Sequence, residues 1–246
     1  VKKKDLHKAV NVIHGEIFGV AKKINIAVFG VGLVGGTLVN QILQIKDKIL
    51  KRRGVDLNIF AVANSKKVVL NPTGISANWK NELENNGVAR TVEEVAAFAN
   101  EYHLENLIAV DNTANAQFVG NYIPLIQKGF NLVSSNKIGN TISYDFYEEL
   151  REELKRNKKT YLYETNVGAG LPLIDTIRML HHSGENITRI KGVFSGTLSY
   201  LFNTFSENDG KFSEVLQVAK DQGFTEPDPR EDLNGNDVGR KLLILA

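Results

Sequence analysis

The 246-residue chain contains no cysteine. Disulfides, thiolate nucleophiles and cysteine metal sites are therefore excluded. Histidine occurs only at positions 7, 14, 103, 181 and 182. The adjacent His181 and His182 would project about 100° apart on a helix, which makes them poor co-ligands of one ion. No apolar run approaches the roughly 18 residues that a membrane span needs, and no signal peptide opens the chain. Net charge is +2 with no long single-sign run. Neither nucleic acid nor an anionic membrane surface is expected as a partner. A reducing, cytoplasmic setting is expected. Methionine occurs once, at Met179, so the chain does not begin at a start codon. Leu242–Ala246 stop in mid-helix without a glycine or polar cap. The expectation is a C-terminally truncated chain, with sequence before residue 1 and after residue 246.

What remains is ordinary globular composition, 42% apolar and 24% charged, enough for one large or two small domains. Leu6, Ala9, Val10, Ile13 and Ile17 form a helical stripe over residues 4–18. Ile24–Phe29, Leu57–Ala63, Leu107–Val110 and Phe130–Val133 read as buried strands. Helices are expected over 33–50, from the Thr91–Glu94 capping box to about Asn100, over 116–128 with a bend at Pro124, and over 143–157. Strands alternating with helices predict an α/β fold with a doubly wound parallel sheet of Rossmann type. Past residue 160 the pattern changes. Thr160–Tyr163 and Ile187–Phe194 read as strands, and helices are expected near 173–183, 197–206 and 212–222. The division predicted is a linker or terminal helix over 1–23, a coenzyme domain over 24–160, and the start of a second α+β domain over 161–246.

Polar clusters follow each strand of the first domain at its carboxyl end, where such sheets bind ligands. The first is Gly30-Val31-Gly32-Leu33-Val34-Gly35. Alone, this glycine spacing is a weak signal. Here it directly follows a strand and directly precedes a helix, as dinucleotide binding requires. The first glycine permits the tight turn, the second lets the backbone approach a pyrophosphate, and the third lets helix and strand pack closely. Gly30, Gly32, Leu33, Val34 and Gly35 are candidate coenzyme contacts.

The second strand ends in Asn64-Ser65-Lys66-Lys67 rather than in a carboxylate. A carboxylate would accept from a ribose 2′-hydroxyl and repel a 2′-phosphate. A hydroxyl and two lysines favour the phosphate, hence NADP(H) over NAD(H). The bland alternative is that both lysines are solvated surface residues.

A second cluster runs from Glu226-Pro227-Asp228-Pro229-Arg230-Glu231-Asp232 to Asp237 and Lys241, and leads into an apolar helix. Charged groups held beside a core are costly without a role. Lys241 stands four residues after Asp237, so both project from one helix face. That spacing also suits a plain surface ion pair, but apolar residues flank Lys241. Hydride delivered to a carbonyl carbon leaves an oxygen that needs a proton or a nearby cation, and lysine is the best acid available. A coenzyme loop together with such a cluster suggests a dehydrogenase acting on an amino-acid-like substrate.

At these residues the chain resembles the homoserine dehydrogenases, most closely the dehydrogenase portion of the bifunctional aspartokinase–homoserine dehydrogenases. The resemblance is carried by Val31–Gly36, Val62–Lys66, Asn136-Lys137, Glu164–Pro172, Ser195–Tyr200 and Thr225–Lys241, in family order across about residues 24–246. It implies reversible reduction of L-aspartate 4-semialdehyde to L-homoserine by NAD(P)H, within threonine and methionine biosynthesis. It further implies Lys241 as acid/base at the substrate oxygen and Lys137 as the group that polarises that oxygen or positions substrate and coenzyme. Glu226 and Asp237 would hold the substrate ammonium, with Asp232 supporting. Asn64, Ser65, Lys66, Thr113, Lys137 and Gly223 would lie against the coenzyme. Glu164 with the carbonyls of Val167, Ala169 and Leu171 matches the family's monovalent-cation loop, usually described as sodium. Hard oxygen ligands of low charge suit a weakly held alkali ion, although Glu164 could equally serve as a helix cap. The opening helix resembles the end of an aspartokinase regulatory region, implying an upstream aspartokinase in the same chain. A homodimer or higher oligomer is implied likewise. Gly239 stands where the family usually has alanine.

Two other readings compete. An aldehyde-oxidising enzyme such as aspartate-semialdehyde dehydrogenase needs a cysteine to form a thioester, and the chain has none. A catalytically incomplete nucleotide-binding module would keep coenzyme affinity without turnover.

Overall fold

Two runs of apolar, largely β-branched residues build the centre of a six-stranded sheet. The computed structural model describes residue 10 and residues 21–207, 210–225 and 228–246. Apart from Val10, the expected helix over 4–18 falls outside these residues, and so does Glu226. The described residues divide into two compact units, one ending at Leu162 and one beginning at Tyr163.

In the first unit, β1 (Lys22–Phe29) leads through the glycine turn into α1 (Leu33–Arg53). Next come β2 (Val55–Ala63), β3 (Val68–Leu70), α2 (Trp79–Asn85), α3 (Val92–Glu101) and β4 (Leu107–Asp111). After these follow α4 (Ala116–Val119), α5 (Tyr122–Gln127), β5 (Asn131–Ser134), a 3₁₀ turn (Lys137–Asn140), α6 (Tyr144–Asn157) and β6 (Tyr161–Leu162). Strand order is β3-β2-β1-β4-β5-β6. Every pairing is parallel except that of β3 with β2. This is the order of a doubly wound dinucleotide fold, with its switch point between β1 and β4. Ile26–Phe29 and Asn58–Ala63 are buried without alternation, as a sheet covered on both faces demands. Ile26, Val28, Ile59 and Val62 pack with Val39 and Ile42 of α1 and with Trp79 and Leu83 of α2.

Two features pin β1 against β2. Asn25 and Asn58 face each other in register, and Asn58 Nδ2 donates to Asn25 Oδ1 at 2.7 Å inside the sheet. One step later the register shifts, so that Ile26 pairs with Ile59 but Ala27 with Ala61. Phe60 is the extra residue. It is fully buried, it stacks on Phe98 of α3 at 6.4 Å, and its carbonyl accepts from Asn71 N.

Several expectations change in detail. The helix over 116–128 divides at Gly120–Asn121 rather than bending at Pro124. Pro124 lies in the first turn of α5, where its missing N–H would have had no intrahelical partner. Tyr161 and Leu162 add a parallel sixth strand beside β5 rather than opening a second sheet. The Thr91 capping box forms as expected, with both reciprocal bonds present.

The second unit holds a 3₁₀ turn (Glu164–Asn166), α7 (Ile174–His182), α8 (Gly196–Ser206), α9 (Phe212–Asp221), α10 (Pro229–Leu233) and α11 (Asn236–Leu245). Ile187–Phe194, expected as a strand, makes no ladder among the described residues. Its composition suits a strand, but an extended segment becomes one only by pairing. Its Val193 is 82% exposed. Small clusters hold this unit together: Val167, Ile174 and Leu245 in one, and Leu201, Val215 and Ala219 in another.

Candidate functional site

At the carboxyl edge of the sheet, Gly30 leaves β1 with φ +82. A Cβ on it would meet the Asn112–Thr113 backbone at 2.8 Å, so the turn closes against the segment after β4. Gly35 packs beneath the loop. A Cβ there would overlap the Gly30 carbonyl oxygen and approach Asn112 Cβ at 3.3 Å. Above Gly32 there is open space. Gly32 caps α1 without a side-chain bond, and the first turn of that helix carries no acid. Neither a capping side chain at Gly32 nor an acid in the first turn takes up the N–H groups that open this helix. Leu33 and Val34, in that turn, are 89% and 59% exposed.

A cavity of about 1050 Å³ opens beside this loop. Gly30, Gly32, Asn64, Ser65, Lys66 and Thr113 line it, which brings six of the expected coenzyme residues to one place. Asn64 Oδ1 accepts from the backbone N–H groups of Lys66 and Lys67 at 2.8 and 2.7 Å, shaping the turn after β2. The two lysines then differ. Lys67 Nζ donates to the Glu84 carbonyl at 2.6 Å, a structural tie, whereas Lys66 is exposed on the cavity wall. Lys80 and Arg90 also line the cavity. Sequence reading missed both, because they reach the site from α2 and the segment before α3 rather than from a strand end. Of the lining acids, Glu94 is engaged in the capping box.

Further along the same edge lies a buried polar network. Asp111, at the end of β4, is 3% exposed. Its Oδ1 accepts from Thr113 N at 2.7 Å. Its Oδ2 accepts from the Tyr122 hydroxyl at 2.7 Å and from Asn136 Nδ2 at 3.1 Å. Burial pushes the Asp111 carboxyl above its ordinary range, and the bonds from Tyr122, Thr113 and Asn136 work in the opposite direction. The phenols of Tyr122 and Tyr161 are both pushed up, chiefly by burial. Asn136 sits between two loops: its Oδ1 caps the 3₁₀ turn by accepting from Ile138 N at 3.1 Å, and its Nδ2 also reaches the Asn115 carbonyl at 3.2 Å. Lys137, the next residue, opens that turn.

In the second unit, Lys241 lies on α11 and is 19% exposed at its side chain. Its Nζ pairs with Asp237 Oδ2 at 2.6 Å and donates to the Phe194 carbonyl at 2.7 Å. The i,i+4 spacing therefore gives a mostly buried pair, not a solvated one. Asp237 was expected to hold a substrate ammonium; here it holds Lys241. Asp232, on α10, is also buried. Asp228 caps α10 ahead of Pro229, and Arg230 pairs back onto Asp228. This exposed bond holds the Asp228 carboxyl below its usual range. Gly223 follows α9 with φ +73, which fits a helix-terminating turn.

The loop from Glu164 to Leu171 turns through positive φ at Gly168 and Ala169. Glu164 Oε1 and Oε2 accept from Ile174 N and Asp175 N at 2.9 and 2.8 Å, capping α7. The Leu171 carbonyl accepts from Leu173 N. The capping role is thus realised in full. Among the described residues no group of three or more His, Asp or Glu side chains is placed to hold a metal ion. None of their helices is long and apolar enough to cross a membrane.

Residues 30–164 match a family model described as homoserine dehydrogenase, NAD binding domain, and residues 172–246 match one described as homoserine dehydrogenase. A bifunctional aspartokinase/homoserine dehydrogenase of Buchnera aphidicola is 39% identical over 247 residues, covering 100% of this chain and 30% of the relative. A homoserine dehydrogenase of Schizosaccharomyces pombe is 36% identical, covering 91% of this chain and 61% of that protein. The solved structure of a hyperthermophilic archaeal homoserine dehydrogenase in complex with NADPH superposes with a TM-score of 0.73 at 25% identity, over 91% of this chain and 68% of that one. The chain spans under a third of the length of the bifunctional relative.

Proposed function

This chain belongs to the homoserine dehydrogenase family, and on that premise we propose that it carries the machinery for NAD(P)H-dependent reduction of L-aspartate 4-semialdehyde to L-homoserine and its reverse. The observation that carries this reading is Lys241, held mostly buried by Asp237 and by the Phe194 carbonyl. An ammonium so held can pass a proton to a substrate oxygen and take it back in the reverse direction. The coenzyme, when bound, supplies or accepts the hydride at the substrate carbon. Lys137, at the sheet edge, polarises the same oxygen or positions substrate and coenzyme. Asp232 and Asp237, with Glu226, give the substrate ammonium its carboxylates. Asp237 then exchanges its bond with Lys241 for one with the substrate, which leaves the lysine proton available for transfer.

For the coenzyme, NADP(H) is favoured over NAD(H). Lys66 faces the cavity, Lys80 and Arg90 share its wall, and no carboxylate ends β2. A 2′-phosphate would meet charge-assisted donors there. Thr113 and Gly223 belong to the same coenzyme reading. A sodium ion at Glu164, Val167, Ala169 and Leu171 is a further part of it, supported by the paired positive-φ residues that turn the loop.

The division is a linker over 1–23, a coenzyme domain over 24–160 and a substrate domain over 161–246. An aspartokinase in the same chain and a homodimeric or higher assembly complete the reading, the former supported by the fusion seen in relatives. A cytoplasmic location belongs with it, since the reaction draws on soluble metabolites and a reduced coenzyme pool.

The test is homoserine-dependent reduction of NADP⁺, followed by absorbance, with Lys241→Ala as control. The expected result is turnover that falls by about 10²–10⁴ in the variant. Unchanged turnover in Lys241→Ala would overturn the assignment of Lys241. Intact coenzyme binding without any turnover would favour the nucleotide-binding module instead.

A further inference from the structure

We propose that Asp111 is a positioning residue for Lys137, acting through Asn136. The inference rests on the reading that Lys137 serves the reaction. Asp111 ends β4 in the middle of the sheet and is almost wholly buried. A buried carboxylate is costly unless its lone pairs are satisfied. Here they are, and its partners belong to three different segments: Thr113 N after β4, the Tyr122 hydroxyl on α5, and Asn136 Nδ2 after β5.

Asn136 is the link that matters. Its Oδ1 is taken by Ile138 N and its Nδ2 by Asp111 and by the Asn115 carbonyl. Its backbone N–H donates to Ser134 Oγ at 2.9 Å, and that hydroxyl lies 2.9 Å from the Tyr122 hydroxyl. The first peptide of the Lys137 turn is thereby fixed on both sides. Thr141 Oγ1 closes the far side by donating to the Lys137 carbonyl at 3.0 Å. One carboxylate therefore ties the coenzyme-facing Thr113 segment to the turn that carries Lys137.

The chemistry of the partners singles out Asn136. In Asp111→Asn, one oxygen remains to accept from Thr113 N. The Tyr122 hydroxyl can rotate, accepting from the new amide and donating to Ser134. The Asn136 amide cannot adapt. Its Nδ2 would face another N–H donor, and flipping it would break the bonds to Ile138 N and the Asn115 carbonyl. The substitution thus pushes on Asn136 and, through it, on Lys137.

The experiment compares the natural protein with Asp111→Asn, Asn136→Ala and the exchanged pair Asp111→Asn/Asn136→Asp. Two readouts are taken: kcat with coenzyme affinity, and the rate at which trinitrobenzenesulfonate labels Lys137 in coenzyme-free protein, read by peptide mass spectrometry. The expected result for Asp111→Asn is a kcat loss of about a hundredfold, the scale of a misplaced catalytic group. Coenzyme affinity, to which Lys137 also contributes, is expected to fall less than kcat, and the labelling rate of Lys137 to change while that of exposed Lys66 does not. The exchanged pair restores a donor facing an acceptor between residues 111 and 136 but sets a carboxylate oxygen against the Asn115 carbonyl, so it should recover both readouts only in part. A purely structural role would lower thermal stability without altering Lys137 labelling. Unaltered labelling in Asp111→Asn overturns the proposal, whatever happens to kcat. If that variant does not fold, unaltered labelling in Asn136→Ala does the same. Absence of turnover in the natural protein would instead count against the proposed function and leave the labelling test standing.

Discussion

Alanine at Gly35 and alanine at Gly32 should injure the same loop in opposite ways. At Gly35 the added methyl would overlap the Gly30 carbonyl oxygen and lie 2.9 Å from the carbonyl carbon. Ordinary carbon contacts lie at about 3.5–4.0 Å, and the atoms in the way are backbone, so the turn and α1 must separate. Overpacking costs about 1–3 kcal/mol, and a rigid backbone neighbour puts this case near about 3. For a chain of this size that is a fall in Tm of about 6–12 °C. At Gly32 a Cβ meets nothing within 4 Å, and φ is −65. Alanine there loses some capping preference but gains from a less flexible unfolded chain, effects of about 0.5–1 kcal/mol each and opposite in sign. Its Tm should stay near that of the natural protein. The methyl would nevertheless stand where a pyrophosphate must approach the backbone, and coenzyme affinity should fall about tenfold to a hundredfold. Thermal unfolding and fluorescence titration with NADPH measure both quantities. Natural affinity in Gly32→Ala, or a natural Tm in Gly35→Ala, would refute this account of the loop.

Other outcomes can be checked alongside. Lys66→Glu should weaken NADPH binding about tenfold, the scale of one charge-assisted bond, and leave NADH binding nearly unchanged; equal losses for both coenzymes would sink the 2′-phosphate reading. Thr91→Ala removes one half of the α3 capping box and should cost about 1 kcal/mol in urea unfolding, with Thr91→Ser recovering most of it. The phenols of Tyr122 and Tyr161 are raised in the folded state relative to an unfolded value near 10. Their contribution is therefore complete below pH about 10 and is lost as pH climbs above it. Absorbance titration should find these two of the seven tyrosines silent until the chain unfolds, and smooth ionisation of all seven in folded protein would contradict their burial.

The parallel sheet and its glycine turn were legible because they rest on local signals. Buried runs such as Ile26–Phe29 and the Gly30–Gly35 spacing specify their own geometry. So did the Thr91 box and the Asp237–Lys241 spacing. The places that escaped depend on partners far away in the chain. Ile187–Phe194 has strand composition, but pairing decides the matter, and no partner is visible locally. Pro124 looked like a bend until its place in a first turn was known. Lys80 and Arg90 carry no motif, and the tertiary path of α2 and the segment before α3 brings them to the cavity. Asp111 sat in plain view at a strand end, but its role as a hub needed Tyr122 and Asn136 to be placed. Glu164 had two readings, and only the arrival of Ile174 N and Asp175 N realised the capping one.

The extra residue in β2 has a consequence for how the sequence can change. Past Phe60 the strand runs one residue ahead of its neighbour, so that Ala63 draws level with Phe29 and accepts from Gly30 N at 2.9 Å. Removing Phe60 would close the bulge and leave Ala61 level with Ala27 and Ala63 level with Phe29, at the cost of the Phe60–Phe98 stack. Adding a residue between Phe60 and Asn64 would instead push the Asn64–Lys67 turn on by about 3.3 Å, one strand step, and turn the side chains after it to the opposite face. The stretch therefore tolerates a loss at its bulge better than a gain beyond it: a single-codon insertion there would uncouple the two walls of the cavity, while the one deletion that leaves both walls in place is that of Phe60.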